Sequence, residues 1–250
     1  GFGLPIYTNI VYVFPKNPPF IPHHINNVGS YKRDFEIPTK WEGKDVYLHF
    51  AGVSGAMYVY VNGVKVGYSE GSKTPAEFNI TKYIRSGNNQ IAVQVLRWSD
   101  ASYIEDQDFW RLSGIERAVY LRADNPVKIN DFRVGSDLIN NYKDGVFSLD
   151  IELKNTKNSI ENRTLKVELL DAKNNIVFSD AKSVEIAPNT TSIKFEDIIH
   201  NVKSWTAETP NLYTAILTLS NSEDKVTQVT FVNVGFRNIK IENNQIKKIE

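Results

Sequence analysis

The sequence predicts two consecutive all-β domains, and three observations carry that prediction. Short runs alternate apolar and polar residues and are rich in Val, Ile, Tyr and Phe, as expected of strands with one buried face. Turn residues such as Asn62-Gly63 and Gly87-Asn88-Asn89 punctuate them. A proline at position 126, just after Asp124-Asn125, breaks the ladder pattern between two β-rich stretches.

Along the first 124 residues, Tyr31–Ile37, Val46–Phe50, Tyr58–Val61 and Ile91–Leu96 read as strands. Only Phe78–Arg85 offers helical spacing, and it is too short to organise a fold. From residue 125 on, about seven strands recur at roughly ten-residue spacing, the signature of an immunoglobulin-like sandwich. They include Phe147–Leu153, Thr164–Leu170, Thr214–Leu219 and Val226–Val234, with the polar runs Lys154–Asn162 and Lys173–Asn175 as turns. Trp205, with Pro210 and Tyr213, is expected in the core of this second domain.

Charge and composition exclude several functions. The 250 residues carry 29 basic and 29 acidic side chains, split evenly, with 13 against 12 up to Asp124 and 16 against 17 beyond. Neither half is a polycation, so neither nucleic acid nor an anionic membrane is expected as a partner. No apolar run approaches 18 residues. The lack of cysteine excludes disulfides, thiolate metal sites and thiol catalysis, and leaves bacterial cytoplasm and periplasm both open. His23 and His24, adjacent in an extended stretch, would point to opposite faces, and with the isolated His49 and His200 they make no zinc constellation.

The densest chemistry lies between Arg97 and Ile115. Asp100, Glu105, Asp106 and Asp108 fall within nine positions, interleaved with Trp98, Tyr103, Phe109 and Trp110 and flanked by Arg97 and Arg111. Carboxylates accept hydroxyl hydrogen bonds or hold a cation, and aromatic faces pack on the C–H side of a sugar ring. The same residues also read as a solvated acidic loop stapled by arginine pairs worth about 0–1 kcal/mol each. The spacing is not that of a calcium loop.

This run resembles the signature loop of the N-terminal domain of family 2 glycoside hydrolases of the β-galactosidase type. The resemblance extends in order through Pro5-Ile6-Tyr7-Thr8-Asn9, Asn17-Pro18-Pro19-Phe20, Val61-Asn62-Gly63, Val66-Gly67-Tyr68 and Leu96-Arg97-Trp98-Ser99-Asp100. In the second half it continues through Ser204-Trp205, Glu208, Pro210-Asn211-Leu212-Tyr213 and Val234-Gly235-Phe236-Arg237, so it covers nearly the whole chain. It implies a jelly-roll, galactose-binding-like β-sandwich over residues 1–124, truncated at its N-terminus, and an immunoglobulin-like β-sandwich over 125–242. Residues 243–250 would open a linker to a catalytic (β/α)8 barrel that the chain does not contain. On that reading the chain is the non-catalytic N-terminal region of a retaining β-galactosidase, silent by itself. Its partners are a β-galactoside, its own barrel and further copies in a homo-oligomer.

Residue by residue, the resemblance places Asn9 and Asp108 in the galactose pocket, with Asp108 also on a sodium ion. Physically, one carboxylate can neutralise a monovalent cation and accept a sugar hydroxyl, and an amide matches hydroxyls that both donate and accept. For Asn9 the alternative is a capped turn after a strand. A structural magnesium site in relatives maps to Asp100 and Glu70, with the other ligands upstream of Gly1, so the chain alone is expected to bind neither ion. Asp100 otherwise caps its loop or pairs with Arg97 or Arg111. Asp106 and Asp108, on one face of a strand, would stand about 6.6–7 Å apart, too far for the acid/base and nucleophile of a retaining pair. Against this stands a free-standing carbohydrate-binding or adhesive β-sandwich; an open reading frame continuing into a barrel would decide for the enzyme.

Overall fold

The computed structural model describes residues 6–7, 13–105, 110–242 and 245–248, and the chain divides between Asp124 and Asn125 into two units. In the first unit the strands run β1 (Ile6–Tyr7), β2 (Val28–Ile37), β3 (Asp45–Phe50), β4 (Val53–Ser54), β5 (Ala56–Val61) and β6 (Val64–Ser69). They continue with β7 (Ala76–Asn79), β8 (Gly87–Leu96), β9 (Trp110–Arg111), β10 (Gly114–Ile115) and β11 (Val119–Asp124). Two antiparallel sheets, ordered β2-β8-β5-β6 and β11-β3-β7, form the sandwich, and the short pairs β1-β9 and β4-β10 flank it. Alternation decides which face is buried: Val46, Leu48 and Phe50 of β3, Val59 and Val61 of β5, and Val93 and Val95 of β8 form one core.

Local chemistry sets the turns. Asn62 and Gly63 both have positive φ, 51° and 83°, the backbone of a two-residue hairpin between β5 and β6. Asn62 also donates through Nδ2 to the Tyr83 carbonyl and to Asn89 Oδ1, both at 2.8 Å, tying the hairpin to the neighbouring loop. The stretch Phe78–Arg85 forms no α-helix. Asn79 Oδ1 accepts the Thr81 N–H (3.0 Å) and hydroxyl (2.7 Å), a local alternative to helix bonding that ends β7 and leaves a single 3-10 turn, Thr81–Tyr83.

In the second unit the strands are β12 (Val127–Ile139), β13 (Asp144–Asn155), β14 (Glu161–Leu170), β15 (Ile176–Ile186), β16 (Asn189–Ile199), β17 (Tyr213–Ser220) and β18 (Val226–Val234), followed by a hairpin of β19 (Ile239–Glu242) and β20 (Gln245–Lys248). Sheets ordered β12-β13-β16 and β15-β14-β17-β18 make the immunoglobulin-like sandwich. Phe147, Leu149, Ile151 and Leu153 of β13 meet Leu165, Val167 and Leu169 of β14 and Ala215, Leu217 and Leu219 of β17 in its core. The turn after β13 is tighter than the polar run suggests. Asn155, nearly fully buried, donates to the carbonyls of Ser159 (2.8 Å) and Ile186 (2.9 Å) and accepts the Lys157 N–H (2.9 Å), so strand geometry persists to Asn155.

The two sheets are also joined along the edge of β12 by side chains acting as a strand would. Gln228 of β18 accepts the Ile129 N–H at 2.8 Å and donates to the Ile129 carbonyl at 3.3 Å, beside the irregular register at Ile129/Asp131. Asn238 does the same for Leu138, at 2.7 and 2.9 Å. Ser136 donates to the Gly235 carbonyl at 2.9 Å.

Three carboxyls of this unit are held below their ordinary range. Asp144 accepts from Asn140 Nδ2 and the Asn201 N–H, with His200 beside it; Glu161 accepts from Lys157 and Arg163; Asp171 accepts from Asn175 and the Lys173 N–H. A depressed folded-state pKa contributes stability that is present above the unfolded value and lost as pH falls through the folded one. The melting temperature should therefore drop as pH is lowered from about 5 to about 2, and drop less in the triple variant Asp144→Asn, Glu161→Gln, Asp171→Asn. Thermal melts of both proteins check this, and parallel acid profiles would contradict it. For the core, Leu217→Ala should cost about 2–5 kcal/mol, while Val229→Ala on the exposed outer face of β18 should cost less than about 0.5 kcal/mol. Similar losses in urea unfolding would refute this inward and outward assignment.

Candidate functional site

The segments that carry the sequence-derived site are brought together by their flanks. β1 pairs antiparallel with β9, Ile6 opposite Arg111 and Tyr7 opposite Trp110, and the rings of Tyr7 and Trp110 meet at 5.2 Å. Beyond the first segment, Phe14 packs edge-on against Trp98 (5.5 Å) and Tyr103 (5.8 Å). The Tyr103 hydroxyl accepts the Asn17 N–H at 3.1 Å and donates to the Phe20 carbonyl at 2.9 Å, clasping the Asn17-Pro18-Pro19-Phe20 turn. Asn26 pairs its amide with the backbone of Trp98, accepting N–H and donating to C=O, both at 2.9 Å. Residues 13–26 are thus seated on residues 98–103.

The acidic run opens with a 3-10 turn, Asp100–Tyr103, in which the Ser102 N–H bonds the Ser99 carbonyl and the Ser102 hydroxyl accepts the Ser99 N–H, both at 3.0 Å. Glu105 leaves this turn and takes both donors of Ser72, the N–H at 2.9 Å and the hydroxyl at 2.5 Å. Sequence reasoning missed Ser72, and also the clasp made by Tyr103. Nothing local in the sequence says that Ser72 meets a carboxylate 33 positions away.

Asn9 and Asp108 lie outside the described residues, as do Asp106 and Phe109. Asp100 and Glu70 are described, and they gather around one phenol. Tyr68 donates to Glu70 Oε2 at 2.5 Å, and its hydroxyl is pushed above the usual tyrosine range by burial, then by the Glu70 hydrogen bond and charge, with Tyr58 and Asp100 adding to it. Asp100 opens its turn and accepts the Ala101 N–H at 3.0 Å. Oxygen donors of this kind suit a hard cation. Among the described residues, however, no three His, Cys, Asp or Glu side chains converge as a metal set.

A cleft of about 1180 Å³ runs beside the acidic segment, with Ser72, Arg97, Glu105, Trp110, Arg111 and Leu112 among its walls. The aromatic residues of the motif divide here. Trp98 is 8% exposed and belongs to the packing under the loop, whereas Trp110 is 52% exposed and offers a ring face. His23 and His24 sit on a 3-10 turn, His23–Ile25, rather than in an extended stretch, because the N–H groups of Ile25 and Asn26 fold back onto Pro22 and His23. His49 lies 3.3 Å from Glu77 and stacks on Tyr120, and His200 lies 3.4 Å from Asp144. Half-buried Trp205 bridges to Pro210 and holds Arg237 over its ring at 4.9 Å.

Two family models match the chain, one in each unit. Residues 1–125 match the sugar binding domain of glycosyl hydrolases family 2, and residues 127–237 match the domain described as glycosyl hydrolases family 2. The chain belongs to glycosyl hydrolase family 2. Among family 2 proteins, it is 44% identical to the beta-galactosidase of Priestia megaterium, over 97% of this chain and 24% of that protein. It is 40% identical to the beta-galactosidase of Streptococcus thermophilus, over 97% of this chain and 23% of the relative. The chain therefore spans about a quarter of the length of the curated relatives it matches. Solved structures of similar fold include a Bacteroides uniformis beta-glucuronidase, with a TM-score of 0.77 and 23% identity over 86% of this chain and 27% of that one. A beta-glycosidase from Bacteroides vulgatus gives a TM-score of 0.69 at 26% identity, over 86% and 26% of the two chains. No helix among the described residues is long and apolar enough to cross a membrane.

In this family 2 chain the Tyr103 clasp generates a direct expectation. Tyr103→Phe keeps the ring against Phe14 but leaves the Asn17 N–H and Phe20 carbonyl without the hydroxyl. Each exposed bond is worth about 0.5–1.5 kcal/mol, so the loss in urea unfolding should be about 1–2 kcal/mol. Amide exchange at Asn17 should quicken, and unchanged protection there would show that the hydroxyl holds nothing.

Proposed function

We propose that this chain is the non-catalytic N-terminal region of a retaining β-galactosidase that releases terminal β-D-galactosyl residues. In that enzyme, Asn9 and Asp108 complete the galactose pocket of a (β/α)8 barrel carried elsewhere in the protein, and Asp108 also holds a sodium ion. The observation that carries the reading is the identity of 34–44% to beta-galactosidases over nearly the whole chain, which itself spans about a quarter of their length. The β1–β9 pairing supports the site. Asn9 is two residues beyond Tyr7 and Asp108 two residues before Trp110, and two residues reach at most about 7 Å. Tyr7 and Trp110 are cross-strand partners. The exposed Trp110 ring and the cleft beside it give a sugar a face to pack on.

The pocket chemistry follows from the residue types. A carboxylate at 108 accepts sugar hydroxyls and neutralises a cation, and the amide at 9 meets hydroxyls that donate and accept. Glu70 and Asp100 would take part in a structural magnesium site, to which they contribute oxygen donors. The acid/base and nucleophilic carboxylates belong to the barrel, so the 250 residues alone do not hydrolyse a galactoside.

The test is the complete gene product assayed on a chromogenic β-galactoside, with sodium varied. Asp108→Asn, nearly isosteric, removes one charge-assisted contact worth about 1.5–3 kcal/mol, which lowers kcat/KM roughly ten- to a hundred-fold and flattens the sodium response. An unchanged sodium response would remove Asp108 from the ion site. The chain alone should bind galactose with a dissociation constant weaker than about 1 mM, because about three hydrogen bonds barely offset the cost of immobilising the sugar. Binding at about 10 μM or tighter would point instead to a self-sufficient carbohydrate-binding module.

A further inference from the structure

The sequence holds a single Asn-Gly dipeptide, Asn62-Gly63, and it forms the two-residue turn between β5 and β6, with Val61 opposite Val64. Asparagine before glycine is the pairing most open to loss of the side-chain amide, because no Cβ shields the next backbone nitrogen. In that reaction the Gly63 nitrogen gives up its proton and bonds to Asn62 Cγ, the Cγ–Nδ2 bond breaks and ammonia leaves. Water then opens the cyclic imide at either carbonyl, giving aspartate or isoaspartate with no change of oxidation state. Gly63 is exposed, and no atom lies within 4 Å of where its Cβ would be, so water and base reach this turn.

The Asn62 side chain, however, is engaged at both of its polar atoms. Nδ2 donates to the Tyr83 carbonyl and to Asn89 Oδ1, both at 2.8 Å, while Oδ1 accepts the Gln90 N–H at 3.0 Å. The Asn62 backbone N–H returns a bond to the Gln90 carbonyl at 2.8 Å. Asn89 is 1% exposed, accepts the Arg85 N–H and donates to the carbonyls of Arg85 and Gly87. Asn62 is therefore the outer member of a buried amide network. Its position asks for two donors and an acceptor on one short side chain at positive φ, which asparagine supplies and aspartate does not. To close the imide, Cγ must swing onto the Gly63 nitrogen and leave all three side-chain contacts. Afterwards an aspartate would turn its carboxylate toward two oxygens, the Tyr83 carbonyl and Asn89 Oδ1. An isoaspartate would route the main chain through the side-chain methylene and lengthen a turn built for two residues.

We propose that Asn62 is a latent deamidation site, locked while the β5–β6 hairpin is tied to residues 83–90 and released when that tie opens. The conversion then unties the hairpin for good. The proposal uses none of the residues assigned to the sugar and stands apart from the galactoside reading.

The intact protein is incubated at mildly alkaline pH, where the attacking nitrogen deprotonates more readily, with and without unfolding urea. The peptide containing Asn62 is followed by the mass change of amide to acid. The native rate should be at least about ten-fold below the rate in urea, since three hydrogen bonds must open together. Equal rates in the two conditions overturn the lock. Asn62→Asp, the chemical product, should lower the melting temperature and speed amide exchange in the β5–β6 turn, and a variant as stable as wild type overturns the untying. Asn89→Ala removes one acceptor and should raise the native rate about three-fold or more. An unchanged native rate in folded Asn89→Ala shows that this network is not the lock and overturns the proposal. Should Asn89→Ala fail to fold, the wild-type comparison with urea decides.

Discussion

Each β-sheet in this chain must bury one face, and that constraint organises both units. Because side chains alternate along a strand, the residues of β3, β5 and β8 that meet in the first core, and those of β13, β14 and β17 that meet in the second, leave their neighbours facing outward. A slip of one residue in β13 or β14 would turn buried Leu and Val residues toward water and bring Glu152, Lys154, Lys166 or Glu168 inside. The sandwiches are therefore fixed in register well before any turn or loop is considered. The loops inherit that rigidity at their ends, which is how an all-β scaffold holds polar residues in a defined place without a helix.

The region of the acidic run shows how this works at closer range. The aromatic residues that a sequence reading groups together serve two purposes. Trp98 and Tyr103 face inward onto Phe14 and build the seat of the loop, whereas Trp110 continues into the pairing with β1 and keeps its face exposed. The carboxylates divide likewise. Glu105 is engaged by Ser72, and the charge of Asp100 bears on the phenol of Tyr68. A cluster that looks uniform in one dimension is partitioned in three between holding the loop and presenting it.

Much of this was legible in the sequence. The all-β class, the strands β3, β5, β8, β14, β17 and β18, and the Asn62-Gly63 hairpin follow from alternation and turn chemistry, which act over a few residues. The family was legible because its motifs are long and collinear. What escaped depends on groups distant in sequence or on a side chain competing with the backbone. Ser72 and Glu105 meet across 33 positions, and Tyr103 and Asn17 across 86. Asn79 turned an apparent helical spacing into a strand end by taking the Thr81 donors. His23 and His24 left the extended backbone for a 3-10 turn, which periodicity over two residues could not reveal.

The amide side chains of Gln228 and Asn238 have a consequence for how this chain meets other chains. An unpaired strand edge is a template on which a foreign strand can grow. Along β12, however, the N–H and C=O of Ile129 and of Leu138 are already occupied, nine residues apart, by two side chains that mimic a neighbouring strand. An incoming peptide could match at most the short interval between them before meeting a filled position, and extending further would require displacing two bonds at once. The same two amides that join the sheets thus act as stops against uncontrolled β-addition, adding to the charges that the strand itself carries at Lys128, Asp131, Arg133 and Asp137.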